Sequence, residues 1–250
     1  MRKYLIEEMT PEEMAEALRV VDTVLVPLGT IEQHGPHLPV GTDVFIPIEV
    51  AKRVAEKSHV LVAPPIYYGN SMSMQEMKGV ITITPETLAA MLLDLCRSLA
   101  KQGFKKIVFI NGHGGNVQVL NFIGQRSRLE TGAKIIRVDW WVIASEEISK
   151  ICEREVVHAD EGETSMALAC RPKLVNMEKA VRDEMADELT QRLTRGKPKN
   201  MPQVYLPFQV WTKTGLIGDA VKATAEKGEK ILEAVVSNII DFLEQVDRLL

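Results

Sequence analysis

The chain of 250 residues is 46% hydrophobic and 26% charged, which excludes a largely disordered protein and allows a sizeable core. Its 30 basic and 34 acidic residues give a net charge of −4, so we expect no nucleic-acid or membrane-surface partner and favour a small-molecule substrate. No apolar run reaches the length of a signal sequence or a membrane span, and we therefore expect a cytoplasmic protein.

The first part of the chain is predicted to begin with a helix and a buried strand. Thr10, Pro11 and Glu13 have the pattern of a helix start, in which Thr10 is the cap and Glu13 completes a capping box. The apolar run over residues 24–28 predicts a buried strand. Later patterns predict a helix over residues 46–57, a strand over 60–63, an irregular loop over 66–77 and a short strand over 80–83.

Helices and strands continue to alternate in the rest of the chain. Thr84 and Pro85 begin a helix that ends before Gly103. The later patterns predict strands over residues 106–110 and 134–138 with a helix between them, an apolar helix over 166–170, a charged helix from 177 to about 195, a loop around 197–207 and a closing helix from about 219. This alternation indicates an α/β fold, with a parallel sheet covered by helices on both faces. Since no repeat or linker divides the chain, we expect one domain over residues 1–250.

The loop after the first strand is rich in residue types that bind metals. Glu32, His34, His37 and Asp43 lie within twelve residues of one another, directly after the strand. In an extended segment, residues two apart point the same way, so Glu32 and His34 are expected to face one cavity. Asp43 is expected to reach back to it. His37 is either a further ligand or, as we favour, a support for Glu32 or Asp43.

The strand over residues 106–110 leads directly into the sequence NGHGGN, residues 111–116. A glycine-rich turn before a helix can bind phosphate, which would make this chain a non-catalytic nucleotide- or metabolite-binding protein. However, the turn lacks the Lys-Ser/Thr ending of a P-loop, does not fit GxGxxG and has His113 at its centre. We therefore interpret the glycines as letting the backbone fold tightly around His113. Because parallel strands end at the same edge, this turn should meet the first loop.

Two further segments are expected to reach this edge of the sheet. Trp140 and Trp141 follow a strand in the same way and should line the same cavity. Residues 156–165 read VVHADEGETS, and an exposed helix N-terminus explains the acidic residues there, since the helix dipole favours them. It explains His158 less well, because a cation is disfavoured at that end. We therefore predict that His158 is an acid–base group and that Glu163 is a ligand with a part in catalysis.

Three motifs together resemble one known family. TIEQHGPHLPVGTD, INGHGGN and HADEGETS, in this order and spacing, are similar to signatures of the creatininase (creatinine amidohydrolase) family, over roughly residues 24–170. The resemblance implies a three-layer α/β/α metal-dependent hydrolase with a mostly parallel sheet, a two-metal centre and assembly as a homo-oligomer, often a hexamer. It also implies that Glu32, Asp43 and His113 hold one ion, while His34, Asp43 and a further carboxylate hold the second.

The chain departs from the creatinine-hydrolysing members of that family at two places. Those members have Tyr and a ligand Glu directly after NGH, where this chain has Gly114 and Gly115. The second ion would then need Glu163, which the HADEGETS motif brings within reach. Those members also place aromatic residues around the substrate ahead of the motif histidine, where this chain has Arg154 upstream of His158. We therefore expect the family's chemistry without its namesake substrate.

The ligand types indicate both the metal and the reaction. Carboxylates and imidazoles without thiolates suit zinc, manganese or iron. We hypothesise that two such ions share a water and present it to a carbonyl carbon, while His158 passes a proton to the departing atom. The expected reaction is hydrolysis of a small cyclic or formyl amide. Hydrolytic carbon–carbon ring opening of a diketo-cyclitol is the alternative reaction.

Overall fold

The computed structural model of the protein describes residues 3–183 and 204–248. Four parallel strands form the central sheet: β1 (Thr23–Leu28), β2 (Leu61–Val62), β3 (Lys106–Asn111) and β4 (Lys134–Asp139). They lie in the order β2-β1-β3-β4. Leu28, Asn111 and Asp139 are in register at the carboxyl ends of β1, β3 and β4, so the loops that follow these strands leave the same edge.

Helices cover both faces of this sheet. They are α1 (Pro11–Ala17), α2 (Thr42–Lys57), α3 (Pro85–Gln102), α4 (Val117–Thr131), α5 (Trp140–Ile143), α6 (Ser145–Ile151), α7 (Glu161–Cys170) and α8 (Ala225–Arg248). Val24 and Val26 pack in a core with α3 and α4, whereas Leu25 packs in a second core with α2 and α8. Because successive strand residues point to opposite faces, the continuous apolar run of β1 fills both cores, and the predicted α/β fold is confirmed. None of the described helices has the length and apolar character needed to cross a membrane.

The helix boundaries follow the capping residues that the sequence contains. Thr10 and Glu13 form both hydrogen bonds of a capping box at the start of α1. Thr84 caps α3 by accepting a hydrogen bond from the Thr87 amide. The same helix ends at Gly103, whose φ of 112° lies in the region that favours glycine.

Two helices begin earlier than predicted, and one predicted strand is wrong. Helix α2 begins at Thr42 instead of residue 46, and α7 begins at Glu161 instead of residue 166. Their first turns carry polar residues that are buried, and these residues break the apolar period. Residues 80–83 form no strand in the described structure. Ile81 makes one isolated bridge with Ile31 and is 53% exposed, so the segment lacks the burial that a β-branched strand needs.

The segment before the closing helix also differs from the prediction. A 3₁₀ turn at Met177–Lys179 is followed by β5 (Arg182–Asp183), which pairs antiparallel with β6 (Gly218–Asp219). The predicted helix from residue 177 is therefore wrong where the structure describes it. Its remainder, residues 184–195, lies outside the described residues, as does most of the predicted loop. Helix α8 begins at Ala225 instead of about 219, because β6 uses that part of the chain.

Candidate metal centre

Two glycines allow the N-terminus of α2 to pack against the ends of β1 and β3. A Cβ added at Gly29 would lie 2.2 Å from the carbonyl oxygen of Asp43, and one at Gly112 would lie 2.0 Å from that oxygen. No side chain fits at such distances, so these contacts require glycine. Asp43 is thereby held between the loop that carries Glu32 and the loop that carries His113.

Glu32, Asp43 and His113 form the first group of converging ligand atoms. His113 Nδ1 lies 3.2 Å from Glu32 Oε2 and 2.9 Å from Asp43 Oδ2. The three ligand atoms all lie within 4.8 Å of one another, and both carboxylates are 1% exposed. Two carboxylates buried side by side need positive charge beside them, because burial without a partner is costly.

His34, Asp43 and Glu163 form a second group, which overlaps the first at Asp43. His34 Nε2 lies 2.9 Å from Asp43 Oδ1 and 3.7 Å from Glu163 Oε2. Glu163 Oε2 also accepts a hydrogen bond from the amide of Ala159. Ala159 has a φ of 51°, which is uncommon for a residue with a side chain and marks a tight turn before α7. This turn places the first residues of α7 against the loop after β1.

Backbone carbonyls decide which nitrogen of each ligand histidine carries a proton. His113 Nε2 lies 2.9 Å from the carbonyl oxygen of Asn70, and His34 Nδ1 lies 3.1 Å from that of Glu32. A carbonyl oxygen only accepts hydrogen bonds, so both of these nitrogens are donors. In the neutral rings, His113 Nδ1 and His34 Nε2 therefore present lone pairs to the carboxylates. Metal-binding histidines commonly have this arrangement.

The contact between His113 and Asp43 tests whether a cation fits this site. Asp43 Oδ2 accepts no hydrogen bond from any described residue, although His113 Nδ1 lies only 2.9 Å away. A metal ion needs a neutral ring, and both atoms are then acceptors, so they repel each other unless a cation lies close to both. The residues present therefore fit a metal ion. Their oxygen and nitrogen donors suit zinc, manganese or iron.

A serine that no sequence pattern indicates holds Glu32 in place. Ser71 Oγ donates a hydrogen bond of 2.6 Å to Glu32 Oε2. Because that bond uses the single Ser71 proton, Thr30 must donate in the 2.8 Å hydrogen bond between Thr30 Oγ1 and Ser71 Oγ. Both hydroxyls are buried. Ser71 lies in the predicted loop over residues 66–77, where one serine among several polar residues gives no signal of such a contact.

Two amides of the glycine-rich turn form hydrogen bonds within the turn itself. Asn111 Oδ1 accepts a 3.2 Å hydrogen bond from the His113 amide, and the Asn116 amide donates a 3.2 Å bond to the His113 carbonyl. The Asn116 side chain also donates to the Gly29 carbonyl at 3.2 Å. These bonds tie the turn to the end of β1. The hydrogen bonds hold the backbone on both sides of His113, which favours the interpretation in which the turn positions this residue.

The surrounding carboxylates control the protonation of both ligand histidines. Burial disfavours a charged imidazole, but Asp43 and Glu163 outweigh it and hold the pKa of His34 well above its ordinary value of 6.5. Burial is likewise outweighed at His113, where Glu32 and Asp43 hold the pKa well above 6.5. Both rings are therefore protonated at neutral pH when no metal is bound.

Metal binding is expected to release protons and to strengthen as the pH rises. In the metal-free protein, the raised pKa values of His34 and His113 contribute stability that is complete below pH 6.5 and is lost as the pH rises through them. A metal ion needs deprotonated imidazoles, so it must displace these protons. Titration calorimetry with Zn²⁺ at about pH 6 and about pH 8, each in two buffers of different ionisation enthalpy, measures the released protons. Equal affinities at the two pH values would contradict this prediction.

His158 lies beside the cluster, and a hydrogen bond on the side of its ring away from Glu32 fixes its orientation. Its Nε2 donates a 2.9 Å hydrogen bond to the Gln33 carbonyl, which leaves Nδ1 facing Glu32 Oε1 at 3.7 Å. The Phe208 ring packs edge-on against it, with 5.0 Å between centroids. Burial, with a contribution from His34, lowers the pKa of His158, so its Nδ1 is free of a proton at neutral pH.

Other polar residues of the motifs support α7. His37 Nε2 makes a 2.8 Å hydrogen bond with Thr164 Oγ1. His37, which was predicted to support Glu32 or Asp43, therefore supports α7 instead. Burial and the neighbouring His34 lower the pKa of His37 to about 4. Asp160 caps α7, as an acidic residue at a helix N-terminus should, by accepting hydrogen bonds from two amides of the first turn.

A cavity of about 120 Å³ opens onto the cluster. Trp140 and Trp141 form part of its wall, as predicted from their position after β4. Val156 and Val157 also line it. Its other described lining residues are His158 and members of the ligand groups and the glycine-rich turn. Apolar walls beside a cluster of charges exclude bulk water and strengthen the electrostatic interactions inside.

Buried carboxylates and imidazoles at the carboxyl ends of parallel strands, beside a small cavity, are typical of metal-dependent hydrolases. Comparison with known proteins gives the family. The Creatininase family model, described as creatinine amidohydrolase, matches residues 7–243. The chain therefore belongs to the creatininase family and is a hydrolase.

Curated relatives cover most of the chain and differ in what they act on. A 3-dehydro-scyllo-inosose hydrolase of Thermotoga maritima is 29% identical over 97% of this chain and 82% of its own length. A mycofactocin precursor peptide peptidase of Mycobacterium ulcerans is 33% identical over 87% of this chain and 83% of its own length. A formylamino-pyrimidine 5'-monophosphate deformylase of Methanothermus fervidus is 24% identical over 88% of this chain and 82% of its own length.

Solved creatininase structures share the fold. A structure described as creatininase Mn superposes with a TM-score of 0.80 and 27% identity, over 97% of this chain and 98% of that one. A mutant creatininase of Zn-Zn type gives a TM-score of 0.82 and 25% identity, over 98% of each chain. Both descriptions name metals that suit the donor atoms of this cluster.

Proposed function

We propose that this chain hydrolyses a small cyclic or formyl amide with two divalent metal ions, which are zinc, manganese or iron. The observation that carries the proposal is the overlap of the two ligand groups at one buried carboxylate, Asp43. Glu32 and His113 would complete one metal site, and His34 and Glu163 would complete the other. The deformylase and peptidase names of two relatives support cleavage at an amide.

The residues around the cluster have distinct parts in this chemistry. Bound divalent ions would supply a water of lowered pKa and polarise the substrate carbonyl. Ser71 fixes the orientation of Glu32 through its 2.6 Å hydrogen bond. His158, with its unprotonated Nδ1 toward the cluster, would take a proton from the attacking water and pass it to the departing nitrogen as the bond between nitrogen and the carbonyl carbon breaks. Trp140 and Trp141 would keep bulk water from the reacting group.

A second candidate function is the hydrolytic ring opening of a diketo-cyclitol. The inosose hydrolase of Thermotoga maritima favours it. In that reaction water adds to a ring carbonyl and the adjacent carbon–carbon bond breaks. His158 would then deliver its proton to carbon, so the same residues would serve a different leaving atom.

We also infer the cellular setting from the family and the composition. The substrate would be a small molecule, with no nucleic acid as partner, and the enzyme would be cytoplasmic. The family resemblance further favours a homo-oligomer, such as a hexamer. Nothing in the arrangement of the described site residues requires a second copy of the chain.

Metal removal and restoration, with both substrate groups, tests the proposed function. The protein would be treated with a chelator, reloaded separately with zinc, manganese or iron, and assayed against cyclic amides, N-formyl amides and a diketo-cyclitol. We expect amide cleavage that disappears with the metal and returns with it. Cleavage of the cyclitol alone would establish the second candidate, and metal-independent cleavage would contradict both.

The variant His158→Gln separates proton transfer from metal binding in the same assay. It should retain both ions, because His158 is in neither of the two ligand groups proposed to hold them; since His158 also lies in a possible ligand group with Glu32 and His34, metal content is measured on the same preparation. Its kcat should fall by about 10²–10⁴-fold, the usual contribution of a positioned acid–base group. Full activity would exclude the role proposed for His158.

A further inference from the structure

His158 is held in place by a segment that lies much later in the chain, residues 208–217. The amide of Ile217 donates a 2.9 Å hydrogen bond to the His158 carbonyl, in an isolated antiparallel bridge. The Phe208 ring, which is 3% exposed, packs edge-on against the imidazole with 5.0 Å between centroids. Aromatic pairs favour this geometry, so the contact restricts rotation of the imidazole. Both the backbone and the ring of His158 are therefore in contact with residues 208–217.

The same segment also holds the residue that accepts the hydrogen bond of this ring. His158 Nε2 donates to the Gln33 carbonyl at 2.9 Å, and the Gln33 side chain in turn donates a 2.8 Å hydrogen bond to the Thr214 carbonyl. Gly215 lets the segment close over that side chain, because its φ is 81° and a Cβ there would lie 1.8 Å from Gln33 Oε1. Displacing residues 212–215 would therefore move Gln33 and, with it, the acceptor for His158.

Asp183 anchors this turn through one carboxylate oxygen. Its Oδ2 accepts hydrogen bonds from four donors, which are the hydroxyls of Thr212 (2.8 Å) and Thr214 (2.7 Å) and the amides of Lys213 (3.0 Å) and Thr214 (2.9 Å). Burial raises the pKa of Asp183, but the hydroxyls of Thr214 and Thr212 outweigh it and hold that pKa below its ordinary value of 3.8. The carboxylate is therefore charged at neutral pH, and hydrogen bonds to a charged acceptor are stronger than those to a neutral one.

We propose that Asp183 is a positioning residue for His158. By holding the turn over residues 212–215, it keeps the Gln33 carbonyl and the Phe208 ring where they orient the imidazole, with Nδ1 toward the cluster. This role rests on the proposed function, in which His158 takes a proton from the attacking water and passes it to the departing nitrogen. A proton is transferred only over hydrogen-bond distance, so a ring that turns away loses this role. Asp183 is in none of the groups of described residues that could hold a metal ion, so its removal should leave the ions in place.

A double-mutant cycle with His158 distinguishes positioning from a general effect on the fold. In the zinc-loaded full chain, Asp183→Ala should lower kcat by about tenfold or more and leave KM and zinc content within about twofold. Asp183→Asn should keep most of the wild-type kcat, because its carbonyl oxygen can accept the same hydrogen bonds. In the His158→Gln background, Asp183→Ala should have no further effect on kcat, since the group that it positions is absent.

Chemical modification of His158 gives a readout that does not need hydrolysis. Diethyl pyrocarbonate acylates unprotonated imidazole nitrogens, and mass spectrometry follows the reaction at each histidine. Because His158 is 7% exposed, it should react slowly in the wild-type chain and at least about fivefold faster in Asp183→Ala, whereas the exposed His59 should react equally in both. The matched control is Asp219→Ala, in the same two-stranded sheet, where Asp219 accepts a 3.1 Å hydrogen bond from the Val221 amide. This control should leave kcat and the modification of His158 unchanged.

The outcomes separate this role from the proposed function. A fall in kcat that vanishes without His158, and that asparagine at position 183 relieves, would establish the role. A fall that is equally large in the His158→Gln background, or an unchanged modification rate of His158 in Asp183→Ala, would overturn it. Failure of the zinc-loaded wild-type chain to cleave any amide would overturn the proposed function, and the modification rates would still show whether Asp183 holds His158. If Asp183→Ala does not fold, Thr214→Val removes one of the four donors with little change of shape and should give the same pattern to a smaller degree.

Discussion

Replacing Asp43 with asparagine is expected to remove bound metal and to lower activity by at least about a thousandfold. Asp43 is the residue that the two proposed ligand groups share, and its two oxygens face different histidines. Asparagine has a similar volume, but one of its two ligand positions becomes an NH₂ donor, which cannot bind a cation. Losing several kcal/mol of stabilisation from the ions corresponds to about three or more powers of ten in rate.

Metal content and kcat measured on the same preparations check this expectation. The matched control is Asp94→Asn, because Asp94 is exposed on α3 and pairs with Arg97 one turn away. Surface pairs contribute about 1 kcal/mol or less, so the control should keep its metal, its activity and nearly all of its stability. An Asp43→Asn protein with full metal content would show that Asp43 does not join the two sites.

The sequence predicted the residues of the site better than the contacts that position them. Glu32 and His113 were predictable because each follows an apolar strand, and parallel strands end at one edge. The structure brings them to 3.2 Å from each other. Asn70 and Ser71, which contact these side chains, come from a loop without periodicity. Contacts between residues about 40 positions apart in the chain depend on tertiary packing, which no local pattern contains.

The site itself explains why two helix starts were missed. Asp43 and Glu163 are polar, yet each is buried in the first turn of its helix. Apolar periodicity detects helices by the residues that face the core, so a turn that buries carboxylates does not appear in the pattern. The strand predicted at residues 80–83 was wrong for a different reason, because there the sequence pattern was present but the tertiary contacts were not. Its β-branched residues indicate a strand, but β propensity has little effect on a segment without a strand partner.

In the proposed two-metal site, the glycine at position 115 leaves Glu163 as the carboxylate of the second ligand group. The family resemblance would put a carboxylate at this position, but a Cβ there would lie 2.2 Å from the Asn70 carbonyl oxygen and 2.4 Å from His113 Nε2. The carbonyl that fixes the His113 ring therefore occupies the space that a ligand side chain would need. We propose that the carboxylate of the second ligand group comes instead from α7, where the turn at Ala159 places Glu163.

The variant Glu163→Gln is expected to lose one ion and to retain the other. Glu163 belongs to the group with His34 and Asp43, and it lies outside the group completed by Glu32 and His113. Metal content should fall from about two ions to about one per chain, and kcat should fall by about a hundredfold or more, since two-metal hydrolysis needs both ions.

The matched control for this variant is Glu161→Gln, on the same turn of α7. Glu161 pairs with Lys227 and has no contact with the ligand histidines among the described residues. It should lose about 1–3 kcal/mol of stability, because a buried hydrogen-bonded charge is removed, and should keep both ions. If Glu161→Gln lost metal as Glu163→Gln does, the effect would arise from unfolding of α7. If Glu163→Gln kept two ions, other residues would hold the second ion. Glu163 would then not be the carboxylate that replaces the one missing at Gly115.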